Sequence, residues 1–151
     1  MQQITPFLWF DNNAEEAVSF YTSIFKDSEI ISTTRGGDNI MGITFTINNQ
    51  TLTAFNGGPM FHFNEAISLF VSCETQAEID YYWNNLTADG GKESRCGWLE
   101  DKFGLSWQIV PPVLMQFMSD ENRNKANAVL QAMLKMNKLD ITKLQAAYEA
   151  A

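Results

Sequence analysis

In the run Ser106-Trp-Gln-Ile-Val110 polar and apolar side chains alternate from Ser106 to Ile109. In an extended strand this puts Ser106, Gln108 and Val110 on one face and Trp107 and Ile109 on the other. Ser68 and Ser72 flank Phe70 in the same manner. Thr44 and Thr53 come to lie opposite each other if Asn48-Asn49 is a two-residue hairpin turn. With Leu8, Phe10 and Phe55 these groups make an apolar floor studded with hydroxyls and one amide, the make-up of a small-molecule pocket.

The other reactive side chains are weaker candidates. His62 is the one histidine and sits in the linker Asn56–Asn64. As a general base it needs an orienting partner, and a lone loop histidine is more often a surface residue. Cys73 ends a strand beside Glu74, which raises rather than lowers a thiol pKa, so it reads as core. Cys96 beside Arg95 is more suggestive, yet also solitary. Glu15-Glu16 fits the start of a helix better than catalysis. Trp9, Trp83 and Trp107 fall on helix-facing positions, while Trp98 is unassigned. No catalytic residue stands out.

The elements that position these groups follow from periodicity. Residues 4–10 read as a strand with Pro6 near its start. Asn13 stands where a helix cap is needed, with Glu16 three residues on, and Ala14, Ala17, Val18, Tyr21, Ile24 and Phe25 follow at helical spacing. Residues 29–34, 41–47 and 50–55 read as three more strands, with Phe45 opposite Leu52 across the hairpin. The pattern then restarts: a strand at 66–73, a capping box Thr75-Gln-Ala-Glu78, a helical stripe Ile79, Tyr82, Trp83 and Leu86, an ill-patterned stretch at 93–101, and the strand 106–110. The two caps lie 62 residues apart. A tandem βαβββ duplication is the simplest reading: an α+β chain with one module over about 1–58, a second over about 64–112, and a helical tail over about 113–151, all within one domain. In the tail, Asp120 and Asp140 are the expected caps.

Composition sets the bounds. The 151 residues are 45% hydrophobic and 13% aromatic, enough for a sizeable core. A net charge of −8 disfavours nucleic acid and anionic membranes. No apolar run reaches the ~20 residues of a membrane span, and no signal-peptide pattern is visible. Two cysteines are too few for a disulfide framework, so a reducing cytoplasm is expected.

Several stretches then resemble the vicinal-oxygen-chelate superfamily of glyoxalases, extradiol dioxygenases and antibiotic-resistance proteins. More narrowly, they resemble its PhnB-like group, labelled 3-demethylubiquinone-9 3-methyltransferase-like. They are Pro6-Phe-Leu-Trp-Phe10, Asn13-Ala-Glu-Glu-Ala17, Phe20-Tyr21, Phe63-Asn-Glu-Ala-Ile-Ser-Leu-Phe70, Trp107-Gln-Ile-Val-Pro111, Ala132-Met-Leu-Lys-Met136 and Lys138-Leu-Asp-Ile141. The resemblance implies two βαβββ modules curling into a concave mixed sheet around a pocket, commonly in a homodimer. Metal-dependent members carry ligands on the first, fourth, fifth and last strands. Those positions fall here at Pro6, Thr53, Ser68 and Gln108, none of which supplies imidazole, thiolate or carboxylate. A Rossmann-type methyltransferase needs a glycine-rich turn after its first strand, and Phe10-Asp-Asn-Asn-Ala14 has none.

The expectation is therefore a small-molecule-binding protein with no metal and no cofactor. Its ligand residues would be Phe10, Thr44, Thr53, Phe55, Ser68, Phe70, Ser106 and Gln108. An enzyme using the same pocket, a lyase, isomerase or transferase, is the alternative, and a dimer with a vestigial pocket is a third.

Overall fold

The structure, a computed structural model, describes residues 2–151 and is α+β, with two mixed four-stranded sheets and five α-helices among those residues. The chain divides into two compact units, Met1–Phe63 and Asn64–Ala151.

In the first unit, β1 (Phe7–Phe10) leads into α1 (Ala14–Ile24), then β2 (Ser28–Gly36), β3 (Asn39–Ile47) and β4 (Gln50–Asn56). The sheet order is β1-β4-β3-β2, with β1 parallel to β4 and the rest antiparallel. The β3–β4 hairpin turns through Asn48 and Asn49, both at positive φ (46° and 65°), which a two-residue hairpin of this hand requires. Phe45 pairs with Leu52 and Thr44 with Thr53, as the alternation predicts. One face is apolar and packs beneath α1: Leu8, Phe10, Ile43, Phe45, Leu52 and Ala54 are buried with Ala17, Val18, Tyr21 and Ile24. The Asn13 side chain makes no cap bond. Instead Asn56 Oδ1 accepts from the Ala14 N–H (2.9 Å), so a strand residue 42 positions away holds the helix start.

The second unit repeats the plan. β5 (Ser68–Ser72) is followed by α2 (Gln76–Leu86), β6 (Lys92–Glu93), β7 (Trp98–Glu100) and β8 (Ser106–Val110), in the order β5-β8-β7-β6. Thr75 and Glu78 form the expected capping box. Val71, Leu99, Trp107 and Ile109 are buried, as are Ile79, Trp83 and Leu86 of α2. The stretch at 93–101 lacks alternation because it bends between β6 and β7, with Cys96 and Gly97 at φ 61° and 83°. A Cβ on Gly97 would stand 2.9 Å from the Ile109 carbonyl oxygen, so only glycine fits there.

The tail holds three helices, α3 (Pro112–Met118), α4 (Arg123–Met133) and α5 (Ile141–Glu149). The first opens at Pro112, at the boundary expected between the last strand and the helical tail. Proline without an N–H is suited to open a helix. Asn122, not Asp120, caps α4 by accepting from the Asn124 and Lys125 N–H groups, while Asp140 caps α5 as expected. Val110, Leu114, Phe117, Val129, Leu139 and Leu144 form one buried cluster, so much of the apolar surface of the tail helices is covered within this unit, while Met115 and Leu134 stay exposed. Polar ties accompany it. Gln76 on α2 donates to the Leu139 carbonyl (3.0 Å) and accepts from the Ile141 N–H (2.9 Å), and Lys138 pairs with Asp80 (2.9 Å).

Candidate functional site

Strand register decides which side chains leave the helix-covered face of each sheet. In the first unit Phe7 pairs with Thr53, Trp9 with Phe55, and Thr44 with Thr53. These five therefore share the face away from α1. Thr44 Oγ1 and Thr53 Oγ1 lie 3.4 Å apart. Trp9 packs edge-on against Phe55 (5.2 Å between centroids) and Phe61 (4.9 Å), and its indole N–H donates to the Gly58 carbonyl (2.9 Å).

Phe10 is a correction. The alternation put Leu8 and Phe10 on this face and Trp9 under the helix, whereas Leu8 and Phe10 are buried on the α1 side and Trp9 is half-buried on the other. Phe10 lies edge-on to Phe63 (5.2 Å). The cause is a difference between the repeats. Two residues, Asp11 and Asn12, link the last buried strand residue to the cap Asn13, and Asn12 takes the left-handed φ of 59°. In the second unit Glu74 alone links the buried Cys73 to Thr75. A one-residue slip reverses every side chain in a strand.

The second unit carries the more polar surface. Ser68 pairs with Ser106, Phe70 with Gln108, Trp98 with Gln108 and Glu100 with Ser106, which sets all six on the face away from α2. Gln108 Nε2 donates to Ser68 Oγ (3.0 Å), and the side-chain oxygen Oε1 of Gln108 has no partner among the described residues. Phe70 is exposed at 56%, an unusual state for a strand phenylalanine. Trp98 and Glu100, unassigned by sequence, share this face. The missing signal was pairing within 93–101, which alternation could not supply.

β8 is held rigidly. Asp101, 1% exposed, accepts from the Phe103 and Leu105 N–H groups through Oδ1 (2.9 and 3.1 Å) and from the Trp107 indole through Oδ2 (2.9 Å). An amide on a strand fixed this way is placed more accurately than one on a loop. At the far end Val110 is covered by the tail cluster. His62 is exposed in its loop. Burial, and then the charge of Glu78, push the Cys73 thiol up to about 12, which keeps it protonated and unreactive.

A metal is poorly served by this donor set. Pro6 presents only its backbone carbonyl, and that accepts from the Thr53 N–H (3.0 Å). Thr53, Ser68 and Gln108 offer neutral oxygens and an amide, which do not fit a Zn, Fe or Mn site. Among the described residues no three of His, Cys, Asp and Glu come together.

Two βαβββ units, each with its first strand parallel to its last and one helix on one face, define the chain as a glyoxalase-like protein of the vicinal-oxygen-chelate superfamily. The profile of the 3-demethylubiquinone-9 3-methyltransferase family matches residues 2–110, and the chain belongs to that family, the PhnB-like group. A solved PhnB protein from Bacillus cereus is 39% identical, with a TM-score of 0.67 over 73% of this chain and 99% of that one. FosX from Listeria monocytogenes, a fosfomycin resistance protein solved with Mn(II) and sulfate, shares the fold at 12% identity (TM-score 0.55; 73% and 89% covered). A glyoxalase-related enzyme from Fulvimarina pelagi does so at 17% (0.51; 76% and 91%). No curated protein matches. The family profile stops at Val110, where the tail begins. No helix of the described residues is long and apolar enough to cross a membrane.

Proposed function

We propose that this chain binds a small organic molecule on the helix-free face of its second sheet, through hydrogen bonds and apolar contact rather than through a metal. The observation that carries the reading is the Gln108–Ser68 pair. It fixes one side of a carboxamide and leaves Oε1 without a partner among the described residues, between an exposed Phe70 and a half-buried Trp98. Polar groups placed by rigid strands against aromatic surface are the usual means of orienting a small ligand. In the first unit Thr44, Thr53 and Phe55 form a surface of the same kind.

The test is a thermal-shift screen of small organic compounds followed by calorimetry. Gln108→Ala should weaken a hit by roughly 1–2 kcal/mol with the fold intact, because a half-exposed amide contributes little to packing. Equal affinity in the two folded proteins would remove Gln108 from the site. Gln108→Glu should not create a tight metal site, since Pro6, Thr53 and Ser68 remain poor ligands.

A second reading, favoured by the family's name, is an enzyme: a lyase, isomerase or transferase acting through the same hydrogen-bonding groups. Turnover of a carbonyl and phenolic panel, abolished by Gln108→Ala, would establish it. Neither sheet is the parallel, doubly wound kind that holds a Rossmann-type methyl donor. A cytoplasmic homodimer belongs to the proposal. The dimer's support is β2, an edge strand exposed along nearly its whole length with Ile30 and Ile31 uncovered. A monomer mass by light scattering would refute it.

A further inference from the structure

A cavity of about 210 Å³ opens on the second unit beside the Gln108–Ser68 pair, lined by Glu65, Lys92, Ser94, Trp98, Glu100 and Ser106 among others. From its shape and chemistry we infer that it takes a small organic cation, an ammonium group on a short apolar or aromatic body. The inference rests on the reading of this face as a ligand site and names the ligand's class.

Ser106 supplies the first observation. It is 2% exposed, and its hydroxyl makes no hydrogen bond among the described residues. Among the described residues no buried polar side-chain atom is sealed without a partner, so this oxygen opens onto the cavity it lines. A hydroxyl that opens onto a cavity is a hydrogen-bonding group a ligand can reach in place of water.

Charge supplies the second. Glu65 and Glu100 both line the cavity and face a single cation, Lys92. Lys92 is a loose partner, 3.8 Å from Glu100 with its side chain 74% exposed, so a ligand ammonium can displace it. Glu93 also lines the wall, but its carboxylate is engaged by the Trp83 indole (2.7 Å), which leaves the other two to face the ligand. The chain's net charge of −8 draws cations toward it.

Size and aromatic surface supply the third. The carboxylates surround the space without converging as metal ligands do, which favours a cation larger than a bare ion. The Trp98 ring, paired across the strand with Gln108, can stack on the ligand body or meet the ammonium over its face. The volume lies below the ~300–1,000 Å³ of drug-sized pockets, so the ligand is small.

The test is calorimetry of the full chain with three probes of nearly one shape: phenethylammonium, neutral 2-phenylethanol and anionic phenylacetate. Phenethylammonium should bind about tenfold or more tighter than the alcohol, and phenylacetate should not bind. Added salt should weaken the amine and leave the alcohol unchanged. Glu65→Gln, at an exposed position, and Glu100→Gln, at a half-buried one, should each weaken the amine several-fold with a nearly unaltered thermal midpoint, and Lys92→Met should tighten it. If amine and alcohol bind alike and Gln108→Ala weakens both, the face is a ligand site but the cation assignment is overturned. If none of the three binds at millimolar concentration, the cation assignment fails, and only an unrelated hit sensitive to Gln108→Ala would preserve the wider reading.

Discussion

Replacing Asp101 with alanine should be among the most costly single changes in the second unit. The carboxylate is 1% exposed and closes the turn into β8 by accepting from the Phe103 N–H, the Leu105 N–H and the Trp107 indole. The bonds to Leu105 and Trp107 are fully buried and the one to Phe103 partly so. Stranding a buried donor costs about 1–3 kcal/mol, and a water entering the vacated space recovers some of that. The expected loss for Asp101→Ala is therefore about 3–4 kcal/mol, or roughly 6–16 °C in thermal midpoint at the ~2–4 °C per kcal/mol typical of a chain this long. Asp101→Asn keeps one acceptor oxygen but turns an NH2 toward a donor, and should cost about 2 kcal/mol. Trp107→Phe removes the donor that clashes with that NH2. The double variant should therefore be less destabilised than the sum of its parts, by about 1 kcal/mol. Urea unfolding of the wild type and the four variants measures these effects. A loss below about 1 kcal/mol for Asp101→Ala, or strict additivity in the cycle, would refute the claim that these bonds set the turn.

Gln76→Ala removes both bonds that tie α2 to the start of α5, and should cost about 1–2 kcal/mol, with faster amide exchange over α5 than elsewhere. Tyr148 donates to Asp120 (2.5 Å), and that bond first, then the Asn122 N–H, holds the Asp120 carboxyl below its ordinary value, while the same bond pushes the Tyr148 phenol up. The carboxylate's contribution is present above about pH 4 and lost as pH falls through the lowered value. The phenol's is present below about pH 10 and lost as pH rises through the raised one. The stability gap between wild type and Tyr148→Phe should thus be flat between and shrink at both ends, and a gap that widens at either end contradicts this. Cys73, buried and with its thiol pushed up to about 12, should resist iodoacetamide at pH 8 in the folded protein and react in urea.

What could be read from the sequence was what depends on near neighbours. The Asn48-Asn49 turn, the pairing of Thr44 with Thr53, the Thr75–Glu78 box and the Asp140 cap each follow from residues a few positions apart. The features that escaped depend on distant partners. The start of α1 is held by Asn56, and Asp120 turns from the expected cap to Tyr148 because α5 comes back against α3 and α4. The candidate site divides the same way. Ser68 and Phe70 on β5, and Ser106 and Gln108 on β8, follow from the alternation within each strand, while Trp98 and Glu100 needed the pairing of β7 with β8 to join them.

Phe10 shows why a repeat is a less reliable guide to facing than to topology. The caps Asn13 and Thr75 recur with an even offset, and an even offset keeps strand alternation in phase only if the link from strand to helix has the same length in both copies. It does not, because Asn12 is an extra residue in a left-handed turn. The insertion leaves strand order and helix placement unchanged, since both depend on which segments are apolar. It alters only which half of β1 faces the helix. The consequence is chemical: the first unit turns Phe7 and Trp9 outward where the second turns Ser68, Phe70 and Ser72. Duplicated strands thus present an aromatic surface in one copy and a hydroxyl-rich one in the other, and the polar anchor of the proposed site lies in the second.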